Sequence, residues 1–132
     1  MSRRRTPESQ ETDRADKICR VCGRRIEWRR RWADRWAEIA VCSARCRGTR
    51  LDDTDAALEA AILRLAAARG RKKTFCPSEA ARVVDPEGWS ALMARTRMAA
   101  RRLVARGEIV ITQGGQIVEP STARGPIRLR RA

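Results

Sequence analysis

The chain has 132 residues, enough for one ordinary domain or two small ones, and carries 30 Lys and Arg against 16 Asp and Glu, a formal charge of +14. That excess favours a polyanionic partner, nucleic acid ahead of an anionic membrane surface. No run approaches the ~20 apolar residues of a membrane-spanning helix, and the absence of His and Tyr excludes His-activated nucleophiles and His metal ligands.

Residues 1–16 are polar, charged and poor in large apolar side chains, the composition of a disordered arm. Their basic start has no apolar stretch behind it, so they do not read as a secretory signal, and the protein is expected in the cytoplasm, where thiols stay reduced. Four of the five cysteines fall within residues 17–50. Cys19 and Cys22 are spaced C-x2-C with Gly23 directly after, and Cys42 and Cys46 are spaced C-x3-C around Ser43. A two-residue spacer lets one tight turn present two sulfurs to one ion, and Zn2+ accepts four thiolates tetrahedrally. Cys42 is expected to end a strand, Ser43 to cap a short helix, and Cys46 to fall in its first turn, the logic of a treble clef. The expected cofactor is one structural zinc, closed to water, with an iron–sulfur cluster as the alternative occupant. Binding it would supply the stability that some 30 residues of core cannot. Between the two knuckles, Trp28, Trp32 and Trp36 recur every four residues. One helix would stack them on a single face, mostly as core of the module, with the intervening arginines directed elsewhere. Residues 1–50 hold 15 basic and seven acidic residues, a surplus that exceeds the −2 of a Zn(thiolate)4 centre.

The second half, residues 51–132, reads as a separate domain. Leu58, Ile62 and Leu65 lie at i, i+4 and i+7 in a helix that Asp55 would cap and Gly70 would end. Ser78 is placed as the N-cap of a short helix reaching Val84, and "DPEG" is a turn. A long helix is expected from about Trp89 to Arg106, with Trp89, Leu92, Met93, Thr96, Ala100 and Leu103 toward the core. "EIVITQGGQIVEP" alternates as a hairpin about Gly114 and Gly115, and Ile127 and Leu129 point inward in a last strand. Helix, short helix, turn, long helix and hairpin are the order of a winged helix-turn-helix. The expected fold is thus small α+β: a treble-clef-like zinc module followed by a winged helix-turn-helix of three helices plus a β-hairpin wing.

The function expected from these surfaces is nucleic-acid binding, double-stranded DNA ahead of RNA, as a regulator or accessory factor. Arg95, Met98, Arg101 and Arg102 lie opposite the core face of the long helix, suited to the major groove. Arg82, Arg124, Arg128, Arg130 and Arg131 would flank the backbone, and Gln113 and Gln116 would sit at the wing tip. The acidic run Asp52, Asp53 and Asp55 is placed on the linker, away from that surface. A protein–protein adaptor, or RNA held by the zinc module through stacked tryptophans and arginines, is the alternative. Cys76, ahead of a helix and near Lys72 and Lys73, is either a small buried residue or a redox-responsive thiol. No histidine base, glycine-rich phosphate loop or carboxylate pair supports an enzyme.

The segment "ICRVCGRRIEWRRRWADRWAEIAVCSARCR" resembles a family of small uncharacterised bacterial proteins with the pattern C-x2-C-G, W-R-basic-basic-W, C-S-x-x-C-R. "CSARCR" is also similar to the second knuckle of the treble-clef protein that inhibits bacterial DNA gyrase, a likeness of ligand spacing alone. Residues 57–131, with "CPSEAAR", "TQGG" and "ARGPIRLR", resemble a second uncharacterised bacterial family of winged-helix type. These resemblances imply an architecture and bring no activity with them.

Overall fold

The computed structural model of the protein describes residues 15–132; the arm expected over 1–16 lies, but for its last two residues, outside them. Two short antiparallel strands, β1 (Lys17–Ile18) and β2 (Arg25–Ile26), close the C-x2-C turn between them. Cys19 N donates to Arg24 O at 2.8 Å across its mouth, and Gly23 turns the chain at φ +76°, a region closed to most side chains.

The tryptophan segment departs from expectation. Residues Arg30–Glu38 form a 3₁₀ helix that starts after Trp28 and is broken by non-helical geometry at Arg35. Three residues per turn cannot keep a four-residue repeat on one face. The break at Arg35 restores the alignment locally, so that Trp32 and Trp36 stack 6.4 Å apart and only 6° from parallel. Lys17 Nζ takes the carbonyls of Trp36 and Ile39 at the end of this helix, standing in for the donors it lacks there.

Helix α1 (Ala44–Arg47) carries Cys46 and is capped by Ser43, whose Oγ accepts from Cys46 N at 3.3 Å. Helix α2 (Asp53–Arg69) begins three residues before its expected start. Asp52 is its N-cap, and Asp52 and Asp55 accept from each other's backbone N–H at 3.1 and 2.9 Å. This reciprocal pair satisfies two orphan donors, where Asp55 alone would satisfy one. Helix α3 (Pro77–Val84) starts at Pro77, whose fixed φ and missing N–H suit a first helical position. Cys76 rather than Ser78 is therefore its N-cap, with Glu79 accepting from Cys76 N at 3.2 Å. The long helix is also divided. A 3₁₀ turn (Trp89–Leu92) leaves the Asp85-held turn with Ala91 N bonded back to Gly88 O, and α4 (Met93–Ala105) follows.

Strands β3 (Ile109–Gln113), β4 (Gln116–Ile117) and β5 (Arg128–Arg131) form an antiparallel sheet in the order β4-β3-β5. Gly114 and Gly115, at φ +56° and +80°, turn the hairpin between paired Gln113 and Gln116, as a two-residue loop demands. Phe75 adds an isolated bridge to Leu129 through two 2.8 Å bonds, tying the segment before α3 to the sheet.

Two apolar cores result. Leu58, Ile62, Phe75, Leu103, Ile109, Ile111 and Leu129 pack α2, α3 and α4 against the sheet. Val21, Ile26, Trp36 and three of the cysteines form the other, with Trp28, Trp32, Leu51 and Met98 against it. Met98 belongs to α4, so the smaller core is completed from the larger unit. Among the described residues, no helix is long and apolar enough to cross a membrane.

Candidate metal centre and the surface it covers

The Sγ atoms of Cys19, Cys22, Cys42 and Cys46 all lie within 4.8 Å of one another. Sulfurs about 2.3 Å from a common tetrahedral centre stand about 3.8 Å apart; here Cys22 and Cys42 are 3.5 Å apart and Cys42 and Cys46 3.7 Å. The donor set fits one thiophilic metal ion. Cys42 is exposed and the other three are buried.

The protonation chemistry agrees with such a site. Burial pushes the Cys19 thiol up, but backbone N–H bonds from Cys22, Val21 and Cys42 outweigh it and hold it at about 6. Burial drives Cys22 to about 12, with neighbouring thiols adding to the rise, and it raises Cys46 in the same way. Without a cation Cys19 ionises readily, while burial and then the neighbouring thiols keep Cys22 and Cys46 protonated. A bound dication would reverse that preference.

The C-x2-C turn does more than present sulfur. Its carbonyls face α4: Arg101 Nε donates to Cys22 O at 2.6 Å, and Arg102 Nη1 to Val21 O at 2.5 Å. Arg102 is 7% exposed and also meets Glu59 at 3.4 Å, and its Nε is buried without a hydrogen-bond partner. Gly23 lies directly on the α4 backbone. A Cβ there would stand 2.4 Å from Arg101 Cβ and 2.6 Å from Arg102 N, so only glycine permits the approach.

This arrangement corrects the expectation of an open recognition face on the long helix. Arg101, Arg102 and Met98 lie under the cysteine module, and Arg95 is paired with Asp52 at 2.5 Å and with Asp55 at 3.0 Å. Asp52 and Asp55 are therefore beside that face, contrary to their expected place on a distant linker. Local polarity suggested solvent, but these side chains serve a docking contact some 80 residues away along the chain.

Other expected contacts are also engaged. Arg82 lies over the Trp89 ring at 4.3 Å. Gln113 Nε2 donates to Arg124 O at 2.6 Å and Pro126 O at 3.0 Å, so it fastens the loop before β5 and does not project from a wing tip. Arg128 donates to Thr74 Oγ1 and O at 2.8 and 3.1 Å. Gln116, Arg124 and Arg131 are exposed, and Arg130 is half-buried with its Nη1 on Arg131 O. Cys76 is half-buried and accepts from Ser78 Oγ at 3.1 Å.

An arginine–tryptophan groove of about 310 Å3 runs beside the centre, lined by Arg24, Arg25, Arg29 and Trp32, with Ser121 and Thr122 from the loop before β5. Arg25 is bound by Asp16, Glu27 and Glu119. Arg24 and Arg29 have no carboxylate partner among the described residues. The guanidinia of Arg29 and Arg31 lie over the Trp32 ring at 5.7 and 5.0 Å. Arg24 continues into a second, smaller cleft with Arg97 and Arg101. Burial, then repulsion from Arg24, Arg97 and Arg102, holds the Arg101 guanidinium below its ordinary value. Sequence reading missed Arg97 and the docking role of Gly23; no local pattern marks either.

Residues 10–49 match the model of a family described as an uncharacterized protein conserved in bacteria (DUF2256). Residues 55–132 match that of a family described as protein of unknown function (DUF3253). No curated protein matches the chain. With more than half of its length inside the second match, the chain belongs to the DUF3253 family, and it carries a DUF2256 segment ahead of that domain.

Proposed function

We propose that the chain is a nucleic-acid-binding protein in which a structural zinc organises a treble-clef-like module docked on a winged helix-turn-helix. The four sulfurs support zinc, because an all-thiolate tetrahedron without an open position is the usual form of its structural sites. The order α2, α3, α4 and hairpin, with Phe75 tied to β5, supports the winged-helix reading.

The observation that carries the function is the arginine–tryptophan groove. Its aromatic wall is overlaid by two guanidinia, and its arginines outnumber its one acidic lining residue, Glu27. Bases stack on aromatic rings and on guanidinium planes while neighbouring cations hold phosphates. The groove therefore suits a strand whose bases are unpaired. The face of α4 that would enter a duplex major groove is already covered, which weighs against the double-stranded reading.

Fluorescence anisotropy with single-stranded and duplex oligonucleotides across a salt series tests this. The single strand should bind more tightly, with a log–log salt slope of about −2 to −3 for three or four phosphates. Arg29→Gln with Arg31→Gln should weaken it about tenfold and leave the fold intact. Equal binding by this variant, or a clear preference for duplex, would overturn the reading.

A further inference from the structure

We infer that the cleft between the two units, lined by Arg24 of the cysteine module and Arg97 and Arg101 of α4, is a seat for one phosphate group. It measures about 100 Å3, the space of roughly three waters at ~30 Å3 each, which is the size range of a phosphate group. Ile111, Pro120, Ala123 and Ile127 give it apolar walls, and no carboxylate lines it.

Arg24 is exposed, but the two guanidinia from α4 are not a solvated fringe. Arg101 is half-buried, with Nε fixed on Cys22 O at 2.6 Å, and Arg97 is half-buried, with Nη2 on Gly125 O. Each spends one of five N–H groups on a backbone carbonyl and keeps a fork for another acceptor. Neither makes an ion pair among the described residues, and Arg24 makes none either. Three cations gathered around a small cleft repel one another unless an anion joins them. An oxyanion with several acceptor oxygens would gain charge-assisted hydrogen bonds from all three.

The cleft stands on its own geometry; only the source of the phosphate, a nucleic-acid strand held in the adjoining groove through the shared Arg24, rests on the reading above. Three ligands separate the sources: inorganic phosphate, a single-stranded oligonucleotide with 5′-hydroxyl ends, and the same strand 5′-phosphorylated. Nε–Hε resonances of Arg24, Arg97 and Arg101 in the zinc-loaded chain should shift saturably with inorganic phosphate, while that of Arg64 should not.

Arg24→Gln with Arg97→Gln should lose about tenfold in strand affinity relative to Arg64→Gln with Lys72→Gln, which removes the same charge elsewhere. If the 5′-phosphorylated strand alone shows that loss, the seat takes a terminal phosphate; if both strands show it, the seat takes an internal one. Saturable phosphate shifts without strand binding would keep the seat and remove the nucleic-acid reading. Strand binding that both double variants retain equally, with no saturable phosphate shift in the unaltered protein, would overturn the seat and leave that reading standing.

Discussion

Gly23 is where the four-cysteine cluster and the helical unit constrain each other most closely. Its φ of +76° ends the C-x2-C turn, and its missing Cβ admits the α4 backbone. A methyl group cannot be relieved by a side-chain rotation, because two of the atoms it meets are backbone. Gly23→Ala should therefore cost about 2–4 kcal/mol, combining overpacking with a strained left-handed residue. Denaturant unfolding of the zinc-loaded protein checks this; a loss below about 0.5 kcal/mol would mean that the approach is looser than described. The sequence marked Gly23 as a knuckle residue and nothing more, since its neighbour on α4 lies 78 positions further along.

At the scale of elements, the start of α2 and the flank of α4 form one electrostatic unit. Burial would raise Asp55, but its bonds with Arg95 and with Asp52 N outweigh that and hold its carboxyl below the usual carboxylate range. A depressed folded-state value contributes stability that is present above the unfolded value of about 3.9 and is lost as pH falls through the folded value. Asp55→Asn should cost about 1–3 kcal/mol near pH 7, through the charged hydrogen bond and the cap. The gap between variant and parent should begin to narrow below about pH 4 and close only below the depressed folded value. Unfolding curves from about pH 7 down through that range decide it, and a gap independent of pH would show that the pair carries no charge-linked stability. The elements themselves were largely legible: apolar spacing located α2 and α4, Gly114 and Gly115 located the hairpin, and Ser43 and Cys46 fell where the C-x3-C spacing put them. What misled was polarity. Arg95, Arg101 and Arg102 look like a solvated face in a helical repeat, and only the tertiary structure reveals their carbonyl and carboxylate partners. The 3₁₀ tryptophan segment was hidden for a related reason, because its geometry depends on Lys17 closing it from a different strand.

Across the whole molecule, two cores of unequal self-sufficiency are joined. The larger packs three helices on a sheet, whereas the smaller is built largely from cysteines and tryptophans. Chelation should therefore unfold residues 17–50 selectively, leaving most of the helical circular dichroism of α2, α3 and α4 in place. Cobalt substituted for zinc should show the intense visible bands of a tetrahedral thiolate site. Loss of one thiol in Cys22→Ser should alter those bands, and a spectrum that the substitution left unchanged would exclude Cys22 as a ligand.

The central proposal is that nucleic acid lies on the arginine–tryptophan groove and meets α4 only through the side chains of Arg97 and Arg101, not as a duplex along that helix. Amide hydrogen exchange of the zinc-loaded chain, with and without a saturating single-stranded oligonucleotide, addresses it most directly. Protection is predicted over residues 24–35 and 120–125, with α4 unchanged apart from the turn that carries Arg97 and Arg101. Protection confined to α3, α4 and the β3–β4 hairpin would contradict the proposal and return the duplex-binding surface to the long helix.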